Sequence, residues 1–441
     1  MIADIDRDTL TKIKNNALRD YARKYVNIYD DFLKQIADFG VELETYDNHM
    51  EIVERLERLR QKGAYLRNDN KSVYINNISP SCVACQTGVG SATYFISLRC
   101  HRNCFYCFNP NQENYERFST EKRDVSAELE SAAAQHVRLQ HLALTGGEPL
   151  LFKEKALDFF QTAQQKYPRA YTRLYTSGDQ ADATTLKALK EAGLQEIRFS
   201  IRMHDTEKAR HFTLDRIRLA KEYIPYVMVE MPVMPGTLDD MKSILTELEQ
   251  IGIFSINLLE LCFPLNNAAE FQKRGYHIKA RPYRVLYNYW YAGGLPIAGS
   301  EELCLDLLEF AIDSGFKMGV HYCSLENKHT GQIYQQNQAG MPSSMIAASR
   351  KDFFLKTAKV FGDDIPKVKE IFERKKKIAY QEQPDYGYLE FNVSHIRQLF
   401  NLDVEIGIST SVLEQRADGQ VLRELRLDLT TPQSFDYSKD I

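Results

Sequence analysis

Six short apolar, strand-like runs lie between Thr93 and Cys262, and a longer helix-like segment separates each from the next. Strands separated by helices are not joined as hairpins, so this alternation specifies βαβ units and a parallel sheet. The runs predict strands over 93–98, 142–145, 172–176, 196–201, 226–232 and 255–262. Helices are expected near 126–140, 153–165, 183–192, 214–222 and 238–250, followed by a helix over 301–314 and an extra strand over 317–322. In closed or nearly closed sheets of this kind, functional groups gather at the C-terminal ends of the strands, where loops vary without disturbing the packed core.

A dense group of thiols follows the first expected strand directly. Cys100, Cys104 and Cys107 stand at a C-x3-C-x2-C spacing in Arg99-Cys100-His101-Arg102-Asn103-Cys104-Phe105-Tyr106-Cys107. Three clustered thiolates hold one soft metal centre. A [4Fe-4S] cluster held by three cysteines keeps one iron open for another ligand. Zinc is the alternative, although its sites usually carry two C-x2-C pairs. After the second expected strand comes Gly146-Gly147-Glu148-Pro149, where glycine lets the backbone approach a ligand closely. Alone, that segment reads as a turn.

Together and in this order, the cysteine triplet with Tyr106 before its last thiol and the Gly-Gly-Glu-Pro segment resemble the radical S-adenosylmethionine (SAM) superfamily. The resemblance implies an α/β fold, a partial (β/α)6 TIM-like barrel, here with N-terminal helical and C-terminal α+β extensions. It implies a [4Fe-4S] cluster on Cys100, Cys104 and Cys107 whose open iron chelates SAM. Reductive cleavage of SAM then gives methionine and a hydrogen-abstracting 5′-deoxyadenosyl radical. It also implies SAM contacts at Tyr106, Gly146, Gly147, Glu148 and Pro149, and at Thr176, Ser177, Ser200 and Arg202 around the ends of the third and fourth strands. Glu230 and Glu260 lie within the fifth and sixth strands and either line the lumen or face a covering helix. An unpaired carboxylate among apolar residues is costly, which favours the lumen, and Glu230 is a candidate SAM or substrate contact.

A second thiol set flanks the first. Cys82 and Cys85 form a C-x2-C in a turn-rich segment, and Cys323 ends the extra strand in His321-Tyr322-Cys323-Ser324. Half a zinc site or a redox pair are the alternatives. We expect an auxiliary iron-sulfur cluster on Cys82, Cys85 and Cys323, its fourth position open or filled by Cys262, and we assign Cys304 to a helix core. Cys82-x2-Cys85-x2-Gly88 with His321-Tyr322-Cys323-Ser324-x3-Lys328 resembles radical SAM proteins related to pyruvate formate-lyase activating enzyme, and more faintly peptide-modifying enzymes of the splicease type.

The chain has 441 residues and a formal charge of -4, which supplies no basic surface of the kind nucleic-acid binding requires. No run has the length of a membrane span, the first residues are acidic rather than signal-like, and five of eight cysteines crowd between 82 and 107, so a cytoplasmic protein is expected. Three regions are expected: helical 1–78, barrel with auxiliary cysteines 79–335, and an α+β appendage 336–441. In the last, Phe353, Phe354, Val360 and Ile365 have helical spacing, a short helix begins with Ser394 as cap, and strands near 386–393, 404–408 and 422–429 flank an Asp418-Gly419 turn. The aromatic run from Tyr283 to Tyr291 reads as core, interface or substrate channel.

The function expected is modification of a ribosomally made precursor peptide, extending to backbone splicing with tyramine excision. A flavodoxin- or ferredoxin-type reductant and a separate peptide-recognition protein are the expected partners. The alternatives are an activase of a glycyl radical enzyme, small-molecule or methyl-transfer chemistry, and a non-catalytic metal-bound scaffold.

Overall fold

The protein is described from a computed structural model, which covers residues 1–289, 293–338, 340, 343–375 and 378–441. Trp290 and Tyr291 of the aromatic run therefore lie outside the described residues. Contacts divide the chain into two compact units, Gly40–Pro282 with Tyr289–His329, and Met1–Phe39 with Tyr283–Asn288 and Thr330–Ile441. This division differs from the three consecutive regions expected, because the first 39 residues pack with the C-terminal ones.

The first unit carries strands β1 (Tyr65–Arg67), β2 (Ser72–Ile75), β3 (Ser91–Phe95), β4 (His141–Thr145), β5 (Tyr171–Thr176), β6 (Glu196–Phe199), β7 (Tyr226–Val233), β8 (Ser255–Glu260), β9 (Cys262–Phe263), β10 (Leu295–Pro296) and β11 (Gly319–Cys323). The main sheet runs β1-β2-β11-β8-β7-β6-β5-β4-β3. From β3 to β8 and on to β11 every pairing is parallel, the expected partial TIM-like barrel sheet with one further parallel strand. One face is apolar and packs on helices: Leu142, Leu144, Leu174, Ile197, Val227, Val229, Ile256, Leu258 and Val320 are all fully buried. Helix Lys153–Lys166 buries Ala156, Phe159, Phe160 and Ala163, the i, i+3, i+4, i+7 stripe that a core-facing helix needs.

Local chemistry shifts some boundaries. The expected helix over 214–222 begins at Glu207, because the Thr206 hydroxyl accepts from the Ala209 amide and starts it earlier. The helix near 126–140 stops at Ala134, and His136 follows with a φ of 58°. The hairpin β1–β2 was not read from sequence. β2 pairs antiparallel with β11 and leads the chain into the short helix Pro80–Ala84.

The second unit holds β12 (Ala347–Ala348), β13 (Leu355–Phe361), β14 (Tyr380–Gln383), β15 (Tyr388–Phe391), β16 (Ile406–Arg416) and β17 (Gly419–Thr430) in one antiparallel sheet, order β14-β15-β13-β16-β17. β16 and β17 meet at the expected Asp418-Gly419 turn. The helical spacing through Phe354 and Val360 is overturned: all seven residues of β13 are buried in mid-sheet, so apolar and polar positions both face inward and period 2 is erased. Its two lysines are buried with partners. Lys356 Nζ lies 3.0 Å from Asp352 and 2.9 Å from Thr410 Oγ1, and Lys359 Nζ lies 2.7 Å from Glu424. The cap at the short helix Val393–Leu399 is Asn392, not Ser394, whose amide is the donor. Helix Asn16–Ala37 packs Leu18, Tyr21, Ala22 and Val26 against Phe361, Tyr388 and Leu427.

Lys359 and Glu424 are only 3% and 15% exposed in their side chains. Lys359→Ala leaves a buried carboxylate unpaired and is expected to lower unfolding free energy by about 3–5 kcal/mol in denaturant titration. Lys359→Met with Glu424→Leu should recover most of that loss, whereas an equally unstable double variant would show the pair to be incidental.

Candidate thiol centres and SAM site

The cysteine loop is locked to its surroundings by backbone geometry. Gly147 N donates to Ser97 O at 3.0 Å, Glu148 N donates to Arg99 O at 2.9 Å, and Asn109 Nδ2 donates to Gly146 O at 2.9 Å. A Cβ on Gly147 would lie 1.9 Å from Arg99 O, and Gly146 has φ of 125° with Ser97 O 2.6 Å from where its Cβ would be. Both glycines are therefore required by close backbone approach. Glu148, 1% exposed, accepts from Thr176 Oγ1 at 2.8 Å, from Ser177 N at 2.6 Å and from Leu150 N at 3.1 Å, and Pro149 opens a 3-10 turn. The Thr176 hydroxyl and the Ser177 amide thus hold Glu148, which ties β4 to β5.

Asp179, just beyond β5, completes the clamp. It accepts from His101 Nε2 at 2.5 Å, from Arg102 Nε at 2.8 Å and from Ser177 Oγ at 2.9 Å. Burial works against its charge, but these three donors hold the carboxyl well below the usual carboxylate range. Sequence reasoning missed it. The signal was its place directly after Ser177-Gly178 at a strand end.

Cys104 feels the charges of both Cys100 and Cys107, and Cys107 that of Cys100. Burial raises all three thiols, Cys104 to about 11. Arg202 at the end of β6 opposes this at Cys100 and Cys104. Its guanidinium is 3% exposed, donates from Nε to Asp205 at 2.8 Å and from Nη1 to Ser200 O at 3.3 Å, and leaves Nη2 buried without a partner. Tyr106 hydrogen-bonds Cys104 and packs edge-on against Phe105 and His204.

The inner face of the sheet is polar. Arg198 on β6, 3% exposed, donates to Glu196 at 2.6 Å, to Glu230 at 2.5 Å, to Ser79 Oγ at 3.0 Å and to Cys82 Sγ at 3.4 Å. Ser79 in turn donates to Glu196 at 2.6 Å, and Ser81 Oγ lies 3.4 Å from His141 Nδ1 on β4. The helix Pro80–Ala84 therefore lies against the inner face and brings Cys82 with it. Glu230 also accepts from Asn257 Nδ2 at 2.7 Å, so it is committed to Arg198 and Asn257 and points inward as expected. Glu260 instead pairs with Lys279 at 2.8 Å and accepts from Leu325 N at 2.8 Å.

Burial lifts the Cys323 thiol to about 12, opposed most by the charge of Lys328, and Cys323 also feels the charges of Cys85 and Cys82. Cys262, lifted by burial to about 11, feels Lys328, Glu260 and Cys107. It therefore sits toward the first thiol set. Cys304 is fully buried on helix Ser300–Asp313. His321 on β11 places Nε2 2.8 Å from Ser72 Oγ, and burial with nearby Arg198 and Arg67 depresses it to about 3.

Zinc requires all its sulfurs about 2.3 Å from one point. Among the described residues, no three His, Cys, Asp or Glu side chains converge to hold a single metal ion. A multi-iron cluster instead distributes its thiolates over separate irons. Cys100, Cys104 and Cys107 are within electrostatic reach of one another, as are Cys82, Cys85 and Cys323. The orphaned Arg202 Nη2 beside the first set suits a SAM carboxylate.

Residues 94–248 match the model of the radical SAM superfamily. Over those residues the chain is similar to this superfamily of enzymes. It is 28% identical over 259 residues to a protein of Methanocaldococcus jannaschii named as a candidate glycyl-radical enzyme activating enzyme, covering 56% of this chain and 64% of that protein. It is 33% identical over 111 residues to the SAM-dependent 2-deoxy-scyllo-inosamine dehydrogenase of Niallia circulans, covering 23% of this chain and 40% of that enzyme. The chain thus spans less than two thirds of the length of these curated relatives. The solved structure of Streptococcus suis SuiB bound to precursor peptide SuiA aligns with a TM-score of 0.39 at 10% identity, covering 72% of this chain and 67% of that one. Among the described residues no helix is long and apolar enough to cross a membrane.

Asp179→Ala should release the loop between Cys100 and Cys104 and lower iron retention or SAM cleavage by about 10–100-fold with circular dichroism unchanged. Wild-type iron content and cleavage in that variant would show that the loop holds without the clamp.

Proposed function

We propose that the protein is a radical SAM enzyme that reductively cleaves SAM at the Cys100, Cys104 and Cys107 site and modifies a ribosomally made precursor peptide. The observation that carries the SAM chemistry is the backbone lock between the cysteine loop and Gly146-Gly147, next to the unpartnered buried Arg202 nitrogen. When bound, the cluster supplies the electron that breaks SAM into methionine and a 5′-deoxyadenosyl radical. Arg202 would anchor the SAM carboxylate, Gly146 and Gly147 would let its amino group reach backbone oxygens, and Tyr106 would shield Cys104 from water.

The second thiol set, Cys82, Cys85 and Cys323, is proposed to hold an auxiliary iron-sulfur cluster that engages or oxidises substrate. Burial raises the Cys82 thiol, and Arg198 beside it opposes that rise in favour of the thiolate such a cluster needs. Thr176, Ser177 and Glu148 serve in this reading by positioning the SAM pocket rather than touching SAM through their committed groups. A peptide substrate is supported by β14, which among the described residues pairs on one side only and offers an edge to an extended chain. A reductant of flavodoxin or ferredoxin type and a separate recognition protein complete the proposal.

The archaeal relative favours a second reading, activation of a glycyl radical enzyme. The two separate by product: a mass change in a precursor peptide encoded beside this gene, or a glycyl radical signal in a partner enzyme.

Cys100→Ala should abolish 5′-deoxyadenosine formation by reconstituted, reduced enzyme, measured by chromatography; retained turnover would contradict the assignment. Cys323→Ala should keep that cleavage while stopping product formation in the peptide mass spectrum. An unchanged product would make Cys323 structural.

A further inference from the structure

The inner face of the sheet leaves a nitrogen ligand beside the second thiol set. His321 is 2% exposed, and its Nδ1 is buried with no hydrogen-bond partner. It lies two residues before Cys323 on β11, so both side chains leave the strand on the same face. Ser72, paired with Cys323 across β2–β11, places its hydroxyl 2.8 Å from His321 Nε2. With that hydroxyl accepting from Nε2–H, the ring's lone pair is at Nδ1. A hydrogen bond of this kind to the distal nitrogen is how protein sites fix the tautomer and orientation of a metal-binding imidazole. Arg198, which donates to Cys82 Sγ at 3.4 Å, acts electrostatically on His321 as well, so Cys82, Cys323 and His321 share one neighbourhood.

We propose that His321 Nδ1 is the fourth protein ligand of the auxiliary cluster, a proposal that rests on the reading of Cys82, Cys85 and Cys323 as that cluster's thiolates. The step is ligation of iron by a neutral imidazole lone pair, so no electron or proton changes place. Imidazole is a known substitute for thiolate at iron-sulfur irons, where it raises the reduction potential. Cys262 is the competing ligand on chemistry alone. Lys328 acts on Cys262 and Cys323 alike, but a Cβ on Gly293 would lie 3.4 Å from Cys262 Sγ and 3.5 Å from Phe108 Cδ1, next to Cys107, which places Cys262 beside the other set. With His321 as the fourth ligand, Cys82, Cys85, Cys323 and His321 would give every iron of such a cluster a protein ligand and leave none open to substrate.

The test uses the full chain with Cys100, Cys104 and Cys107 changed to Ala, so that any cluster present is the auxiliary one. It is produced with natural-abundance and with ¹⁵N-labelled histidine, reconstituted anaerobically, reduced without SAM, and measured by pulsed electron paramagnetic resonance. A strongly coupled nitrogen whose pattern changes with the label, and which disappears in His321→Ala, is the expected result. A sample holding about four irons per chain with no label-sensitive nitrogen overturns His321 as ligand and leaves the auxiliary cluster standing. A sample that binds no iron removes the auxiliary cluster and this proposal with it. Should His321→Ala not fold, the labelled comparison decides alone.

Discussion

The second thiol set depends on one buried guanidinium. Arg198 joins Glu196 and Glu230 from the barrel strands to Ser79 and Cys82 from the helix that precedes the first barrel strand. Two carboxylates drawn out of water carry a desolvation cost of several kcal/mol each unless paired, and only an arginine offers enough donors in one plane to serve four partners. That requirement draws the Pro80–Ala84 helix onto the inner face. The charge network is thus what assembles the second thiol set.

The first thiol set is held by different means. Its loop is fixed by amides and by Asp179, with close backbone approach at Gly146 and Gly147. Conformational restriction of the loop before metal arrives lowers the entropy lost on cluster binding, and a rigid loop presents one geometry to SAM. The two sets therefore sit on one sheet but are ordered independently, by backbone hydrogen bonds in one case and by side-chain charge in the other.

Much of the barrel was legible because strand and helix periods alternate cleanly between Thr93 and Cys262, and because glycine and cysteine at fixed spacing encode backbone approach and metal chemistry. The β1–β2 hairpin was not, since four residues, Ser72–Ile75, are too few to establish a period and their pairing partner lies far along the chain in β11. Burial on both faces hid β13: every position of Leu355–Phe361 is buried, so no alternation showed, and the spacing of Phe353, Phe354, Val360 and Ile365 read as helical. The role of Arg198 escaped because its partners are brought close only by folding, as did that of the unpartnered His321 Nδ1, whereas Asp179 had a signal in its place after Ser177-Gly178.

The most direct test of two metal centres on one barrel is iron anomalous scattering from an anaerobic crystal of the reconstituted protein grown with SAM. The account predicts two separate iron peaks, one among Cys100, Cys104 and Cys107 with the SAM carboxylate on Arg202, the other among Cys82, Cys85 and Cys323. A single peak at the first set, with Cys82, Cys85 and Cys323 bare or holding one zinc ion, would contradict it.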